Sequence, residues 1–308
     1  MLFRLFTFAL ISFSFACSSA FCAEEMTVDI GRGEVDVIYP TEIKDGKPLP
    51  MIVALHGFTG NKKQLEVKWK LRRHVDEKQF VLVYPEGTRD SNGRRFWNAT
   101  NACCNMEGID VNDVEYLMDL VSEIESKFSI DSDSIHFAGW SNGGFMSYRL
   151  ACQVSGRIAS FVSLAGANYK RSGICNSAVP VHVLQIHGTQ DPIVQYEGGF
   201  FRDEQDREGM NWYPGALESV SAWAKINGCR NLPVQLGPLD LDRSIEGPDT
   251  TILRFENERT GAAAELWTIH GGSHGPDFSL NYGELIVDWL LSHRKIKTAA
   301  ASESNSKE

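Results

Sequence analysis

A mostly parallel, doubly wound α/β sheet with helices on both faces is the fold this sequence predicts, and three observations carry that expectation. Met51-Ile-Val-Ala-Leu55 is an unbroken apolar run, as in a strand buried on both faces. Strand-like and helix-like stretches alternate from there to residue 293. Of 308 residues, 43% are apolar and 23% charged, with 17 Phe and 7 Trp, a profile that excludes a disordered or collagen-like chain.

Residues 1–23 stand before the fold. Arg4 opens a short positive region, residues 5–16 are apolar, and small residues cluster from Cys17 to Ala23 ahead of Glu24 and Glu25, the pattern of an export signal. The apolar run falls well short of the roughly 20 residues a bilayer span needs, so a membrane anchor is the weaker reading. Ala20-Phe21-Cys22 offers a cleavage site, whereas cleavage after Ala23 leaves bulky Phe21 two positions earlier. A lipid-modified Cys17 has Phe15 where a small residue is expected. The protein is therefore expected to be secreted or periplasmic.

The elements then follow in order. Residues 26–30 and 35–39 are short β-rich runs that lead to the strand at 51–55. Residues 61–74 read as a helix, 80–84 as a strand, 113–128 as a helix capped by Asp113, and 134–138 as a strand. A helix over 142–154 and strands near 158–164 and 181–186 continue the alternation. Residues 212–227 look mostly helical, 251–255 and 265–269 are strands, and 282–293 form a closing amphipathic helix. No repeat or Pro-rich linker divides the chain, so residues 24–293 are read as one domain and 294–308, rich in Ala, Ser and Lys, as a loose tail.

Lys plus Arg number 30 against 40 Asp plus Glu, a net charge of -10 that gives no electrostatic footprint for nucleic acid and no steering of polyanionic substrates. Without the signal, Cys103, Cys104, Cys152, Cys175 and Cys229 remain. An odd number outside the cytosol points to two disulfides of open connectivity and a leftover thiol. Neighbours Cys103 and Cys104 would strain to bridge each other, so partners elsewhere are expected for them. No C-x-x-C or paired His spacing suggests a metal.

Gly139-Trp140-Ser141-Asn142-Gly143 fits the G-x-S-x-G nucleophile elbow, directly after one strand and before a helix. Gly271-Gly-Ser273-His-Gly275 matches the same pattern, but Pro276 and Asp277 follow it and no helix starts there, which leaves Ser273 as a loop serine. A surface-turn serine is the plain alternative for Ser141. A serine hydroxyl needs a base, and the base an orienting acid. In an α/β-hydrolase fold these follow in the order Ser, acid, His, on loops after later strands. Asp191, in His187-Gly-Thr-Gln-Asp-Pro192, is the expected acid, and His274, beyond two glycines, the expected base. His187 and His270, at strand ends, read as core histidines bonded to backbone, and Asp206, Asp240 and Asp242 are the weaker acids. The oxyanion donors are expected to be Asn142 N–H and, from Leu55-His-Gly-Phe-Thr-Gly60, Phe58 N–H with Thr59 in reserve.

Together with Trp97 through Ala102-Cys103-Cys104, Asp113-Val114, Leu150-Ala-Cys152, Tyr196 and Trp223 before Gly228-Cys229, these motifs span most of residues 50–290. The chain thereby resembles the secreted polyhydroxybutyrate depolymerase and feruloyl esterase group, related to carbohydrate esterase family one. That resemblance implies carboxylic ester hydrolysis through an acyl-enzyme on Ser141, with Asp191 and His274 completing the triad. Two departures stand out: Gly275-Pro276-Asp277 follows the histidine where the group often has Trp-Pro-Gly, and Asn105 stands where glycine is usual.

For the substrate, Trp140 and Thr59 flank the reacting groups, while Phe200, Phe201, Trp212 and Tyr213 form an aromatic segment suited to stack on a sugar or phenolic ring, or else to pack under a loop. A feruloyl or acetyl ester of an oligosaccharide is the preferred substrate and hydroxyalkanoate oligomers the runner-up. A serine peptidase and an inactive binding protein are the remaining alternatives. Serine, imidazole and backbone donors suffice for acyl transfer, so neither metal nor organic cofactor is expected, and the protein is expected to act as a monomer.

Overall fold

In the computed structural model, which describes residues 23–171, 173–175, 178–201 and 211–297, ten strands join in one sheet. The expected export segment up to Cys22, Asp206 and the tail beyond Lys297 lie outside those residues. The chain opens with β1 (Glu24–Val28), β2 (Val35–Tyr39), β3 (Leu49–Leu55), helix α1 (Lys62–Trp69), the single turn α2 (Val75–Lys78) and β4 (Val81–Tyr84). The short pair β5 (Thr88–Arg89) and β6 (Arg95–Phe96) precedes α3 (Asp113–Lys127), β7 (Ile130–Trp140), α4 (Asn142–Val154), β8 (Ser160–Leu164) and β9 (His182–Gly188). A second short pair, β10 (Gly198–Phe200) and β11 (Trp212–Pro214), leads into α5 (Ala216–Ile226), β12 (Val234–Leu239), β13 (Thr250–Glu256), β14 (Ala263–Ile269) and α6 (Tyr282–Ser292).

Across the sheet the order is β1-β2-β4-β3-β7-β8-β9-β14-β13-β12. Every pairing from β4 to β14 is parallel, and the pairings at both margins are antiparallel. Alternation along each strand fills both faces: Met51, Val53 and Leu55 of β3 pack with α3, α4 and α5, while Ile52 and Ala54 pack with α1, α2 and α6. A strand covered on both sides has no polar face to offer, which is why its sequence is apolar throughout.

Several local expectations change. Asn112 rather than Asp113 caps α3, accepting from Glu115 N–H; Asp113 is buried, paired with Arg32 and accepting from Asn98 N–H at 2.5 Å. The helix after Asn61 breaks at Lys70, whose φ is 55°, and resumes as a 3-10 turn over Leu71–His74. Trp212–Pro214 is strand, so α5 starts only at Ala216. The edge strand β12 had no legible signal, because its mostly exposed residues include Gly237 and Pro238. Cys103 and Cys104 are paired with each other rather than with partners elsewhere, Cys152 pairs with Cys175, and Cys229 is the leftover thiol. The start of the tail is pinned, since Arg294 pairs with Asp131 and Lys295 N–H donates to Asp133 O at 2.8 Å.

Candidate active site

Ser141 sits at the junction of β7 and α4 with φ 55° and ψ -116°, a strained conformation of the sort that costs about 1–3 kcal/mol and persists where surrounding structure imposes it. The two flanking glycines are obligatory there. A Cβ on Gly139 would lie 2.1 Å from the Gly143 carbonyl carbon, and one on Gly143 would lie 2.2 Å from Leu55 O. Ser141 N–H donates to Leu164 O at 2.7 Å, which fixes the turn above the neighbouring strand β8. The second G-x-S-x-G stretch is a loop after β14, as its Pro276 requires.

Asp191 and His274 come from the loops after β9 and β14, adjacent parallel strands whose C-terminal ends lie side by side. The loops are stitched together: Gln190 N–H donates to Gly272 O at 3.0 Å and Gly271 N–H to Thr189 Oγ1 at 2.8 Å. His274 Nδ1 meets Asp191 Oδ2 at 2.7 Å. The other carboxylate oxygen accepts from Ile193 and Val194 N–H at 2.8 and 2.9 Å. Burial alone would raise the Asp191 pKa, but the hydrogen bonds from His187 and His274 outweigh it and hold the carboxyl well below the usual carboxylate range. Ser141 and His274 line one cavity of about 420 Å³. No hydrogen bond joins Ser141 to His274 among the described residues; contacts of this type tighten when substrate is engaged.

On the opposite side of Ser141, the loop after β3 approaches so closely that a Cβ on Gly57 would lie 3.3 Å from the serine Cβ. Thr59 N–H is committed to Arg95 O at 2.8 Å, so of the two donors expected from this loop Phe58 N–H remains, on a residue that lines the Ser141 cavity. Asn142 N–H, in the first turn of α4, is its counterpart.

Residues beyond those expected hold this arrangement. His56 is buried; its Nε2 accepts from Gly87 N–H at 3.0 Å, its Nδ1 lies 2.7 Å from Gly57 O, and burial pulls its pKa down to about 4, so the ring is neutral at pH 7. Trp97 Nε1 donates to His56 O at 3.0 Å, and the Asn142 side chain bonds the Trp97 backbone on both sides, at 2.7 and 2.9 Å. Trp140 Nε1 donates to His274 O at 2.9 Å, so the residue beside Ser141 fixes the backbone of the imidazole. Lys68, on α1, donates to Gly275 O and Pro276 O at 3.1 and 2.9 Å. Neither spacing nor periodicity signals Lys68, because its partners lie more than 200 residues away.

Other candidates go elsewhere. His187 is a buried histidine bonded to Val194 O at 2.8 Å, whereas His270 is exposed and meets Thr251 Oγ1 at 3.0 Å rather than backbone. Asp242 is engaged by Ser244 at 2.7 Å. Thr59 and Trp140 line the Ser141 cavity, but Trp212 and Tyr213 do not. Tyr213 is buried, stacked on Phe201 and edge-on to Phe145, and Trp212 lies against Phe200 over a separate, shallow hollow beside Tyr169. The place of this segment between Asp191 and the next helix misled, since β11 turns it into the core on one side and outward on the other.

The chain matches the Phospholipase/Carboxylesterase family over residues 41–204. It is 34% identical over 242 residues to a probable feruloyl esterase C of Aspergillus niger, covering 72% of this chain and 83% of that protein. It is 29% identical over 244 residues to feruloyl esterase B of Piromyces equi, of which it spans only 42% of the length. Among solved structures it is similar to the acetyl xylan esterase of Aspergillus awamori, with a TM-score of 0.60 at 15% identity, covering 87% of this chain and 98% of that one; at that identity the likeness speaks to fold alone. A family match over more than half of the sequence, joined to this sheet order and this elbow, means that the chain belongs to the phospholipase/carboxylesterase family of α/β-hydrolases.

Proposed function

We propose that this protein is an exported serine esterase that hydrolyses feruloyl or acetyl esters of saccharide fragments through an acyl-enzyme on Ser141. The observation that carries the reading is the strained serine of the elbow sharing one cavity with an imidazole bonded at 2.7 Å to a buried carboxylate. His274 Nε2 takes the proton as Ser141 Oγ attacks the ester carbonyl, and the oxyanion is received by Phe58 and Asn142 N–H. Asp191 stays ionised, keeps the Nδ1 proton in place and stabilises the imidazolium. The alcohol leaves with the proton held by His274, and a water molecule repeats the sequence to release the acid. Feruloyl and acetylxylan esterase are the activities named for two relatives, at 29% and 25% identity, which supports the substrate class. Residues 1–23 support export.

A fluorophosphonate probe should label the purified protein and fail to label Ser141→Ala. Methyl ferulate, acetylated xylo-oligosaccharide and hydroxybutyrate oligomers assayed side by side assign the ester. Folded protein that takes no label refutes the proposal, and turnover of the hydroxybutyrate oligomers alone replaces the saccharide version. N-terminal sequencing of the exported protein tests the leader.

A further inference from the structure

The lining of the Ser141 cavity departs from the acidic character of the whole chain, although the Asp191 carboxylate stands directly behind its His274. Among the described residues that line it, Lys68 is the one Lys or Arg and there is no Asp or Glu, in a chain of net charge -10. The Lys68 ammonium is half-buried and spends two of its three N–H donors on Gly275 O and Pro276 O. It also lies over the Trp140 and Phe278 rings, at 5.2 and 5.3 Å from their centroids. Carbonyls and ring faces attract a cation without neutralising it, and no carboxylate of the described residues forms an ion pair with Lys68. Asp277 and Asp242 act on Lys68 through their charge but form no ion pair with it: Asp277 pairs with Arg243 at 2.6 Å, and Asp242 accepts from Ser244. Beside this cavity a second hollow of about 280 Å³ shares Thr59, Gly60 and Asn61 with it. That hollow brings Lys63, Arg89 and Arg95 to the rim, with Glu86 its one acid, paired to Arg95.

We infer that the site takes esters that carry a free carboxylate near the scissile bond, with Lys68 receiving that carboxylate. The inference rests on Ser141 being the nucleophile, and it narrows the substrate class of that same site. A half-buried ammonium with one donor unspent is where a charge-assisted hydrogen bond contributes most, since the cation is already partly stripped of water and an anion completes its coordination. Two chemistries place a carboxylate so: an acylated uronic-acid sugar, and a short hydroxy-acid oligomer with its terminal acid.

Matched pairs separate these sources: the linear 3-hydroxybutyrate dimer as free acid and as methyl ester, and an O-acetylated galacturonate trimer with free and with methyl-esterified carboxyls. Hydroxybutyrate or acetate release is followed. The expected result is a kcat/KM about tenfold higher for the free acid in at least one pair, the modest effect of one charged hydrogen bond, with the responding pair naming the source. Lys68→Met should bring the ratio to about one, Lys68→Arg should retain it, and added salt should shrink it. A wild-type ratio of one or less in both pairs, or a ratio that survives in Lys68→Met, overturns the inference while hydrolysis of neutral 4-nitrophenyl acetate keeps the esterase reading intact. Should Lys68→Met fail to fold, the wild-type ratios and their salt dependence decide. Wild-type protein that neither hydrolyses 4-nitrophenyl acetate nor takes the fluorophosphonate label would instead remove the esterase reading and this inference with it.

Discussion

Replacing Asp191 by Asn changes one atom and should nearly abolish turnover. One carboxylate oxygen is fixed by the Ile193 and Val194 N–H groups at 2.8 and 2.9 Å. Turning an amide NH₂ toward them would orphan two buried donors at a cost of about 1–3 kcal/mol each, so the amide oxygen stays there. The NH₂ must then face His274 Nδ1, where Oδ2 now accepts at 2.7 Å. It also faces His187 Nε2, 3.3 Å from that oxygen, which already donates to Val194 O. A donor at Nδ1 forces the His274 proton onto Nε2, the nitrogen that in the proposed mechanism accepts from Ser141. The wrong tautomer and the loss of the stabilising charge together cost about 10⁴-fold in kcat in triads of this kind, or about 5.5 kcal/mol in the barrier. Steady-state hydrolysis of 4-nitrophenyl acetate measures it, with circular dichroism to show that the variant is folded. A folded Asp191→Asn enzyme that retains a tenth of the wild-type kcat would refute the assignment of Asp191 as the orienting acid.

Three further outcomes are expected. Gly143→Ala sets a methyl group 2.2 Å from Leu55 O, so it should yield either no soluble enzyme or a kcat lowered by about 100-fold, read from expression and ester hydrolysis. Trp212→Ala, which does not line the Ser141 cavity, should leave small-ester kcat/KM within about twofold of wild type in the same assay. His136 is fully buried, and burial, followed by the positive fields of His293 and His182, pulls its pKa from 6.5 to about 3. The unfolded chain binds that proton more readily, so this contribution is complete above pH 6.5 and is lost as pH falls toward 3. Between pH 7 and 4.5 the loss is about 2–3 kcal/mol for this residue, at 1.36 kcal/mol per pH unit below 6.5. Urea unfolding of wild type and His136→Asn at both pH values checks it, the variant losing less stability than wild type over that interval.

What the sequence carried by itself was the local chemistry. Unbroken apolar runs report strands buried on both faces because such strands have no polar side to show, and that established the parallel centre of the sheet. The elbow was legible because only glycine fits at residues 139 and 143 once a serine is driven into that turn, and a nearby proline ruled out the second match. Tertiary structure decided what depends on distant residues meeting. It joined Cys103 to Cys104 against the expectation of partners elsewhere, and turned Tyr213 into the core. It also set Lys68 of α1 against Gly275, and these residues, 207 positions apart, meet because the loop that carries His274 folds back onto α1. Spacing along a chain reports periodicity and turn chemistry, but the field inside a cavity is a sum over side chains that only folding brings together.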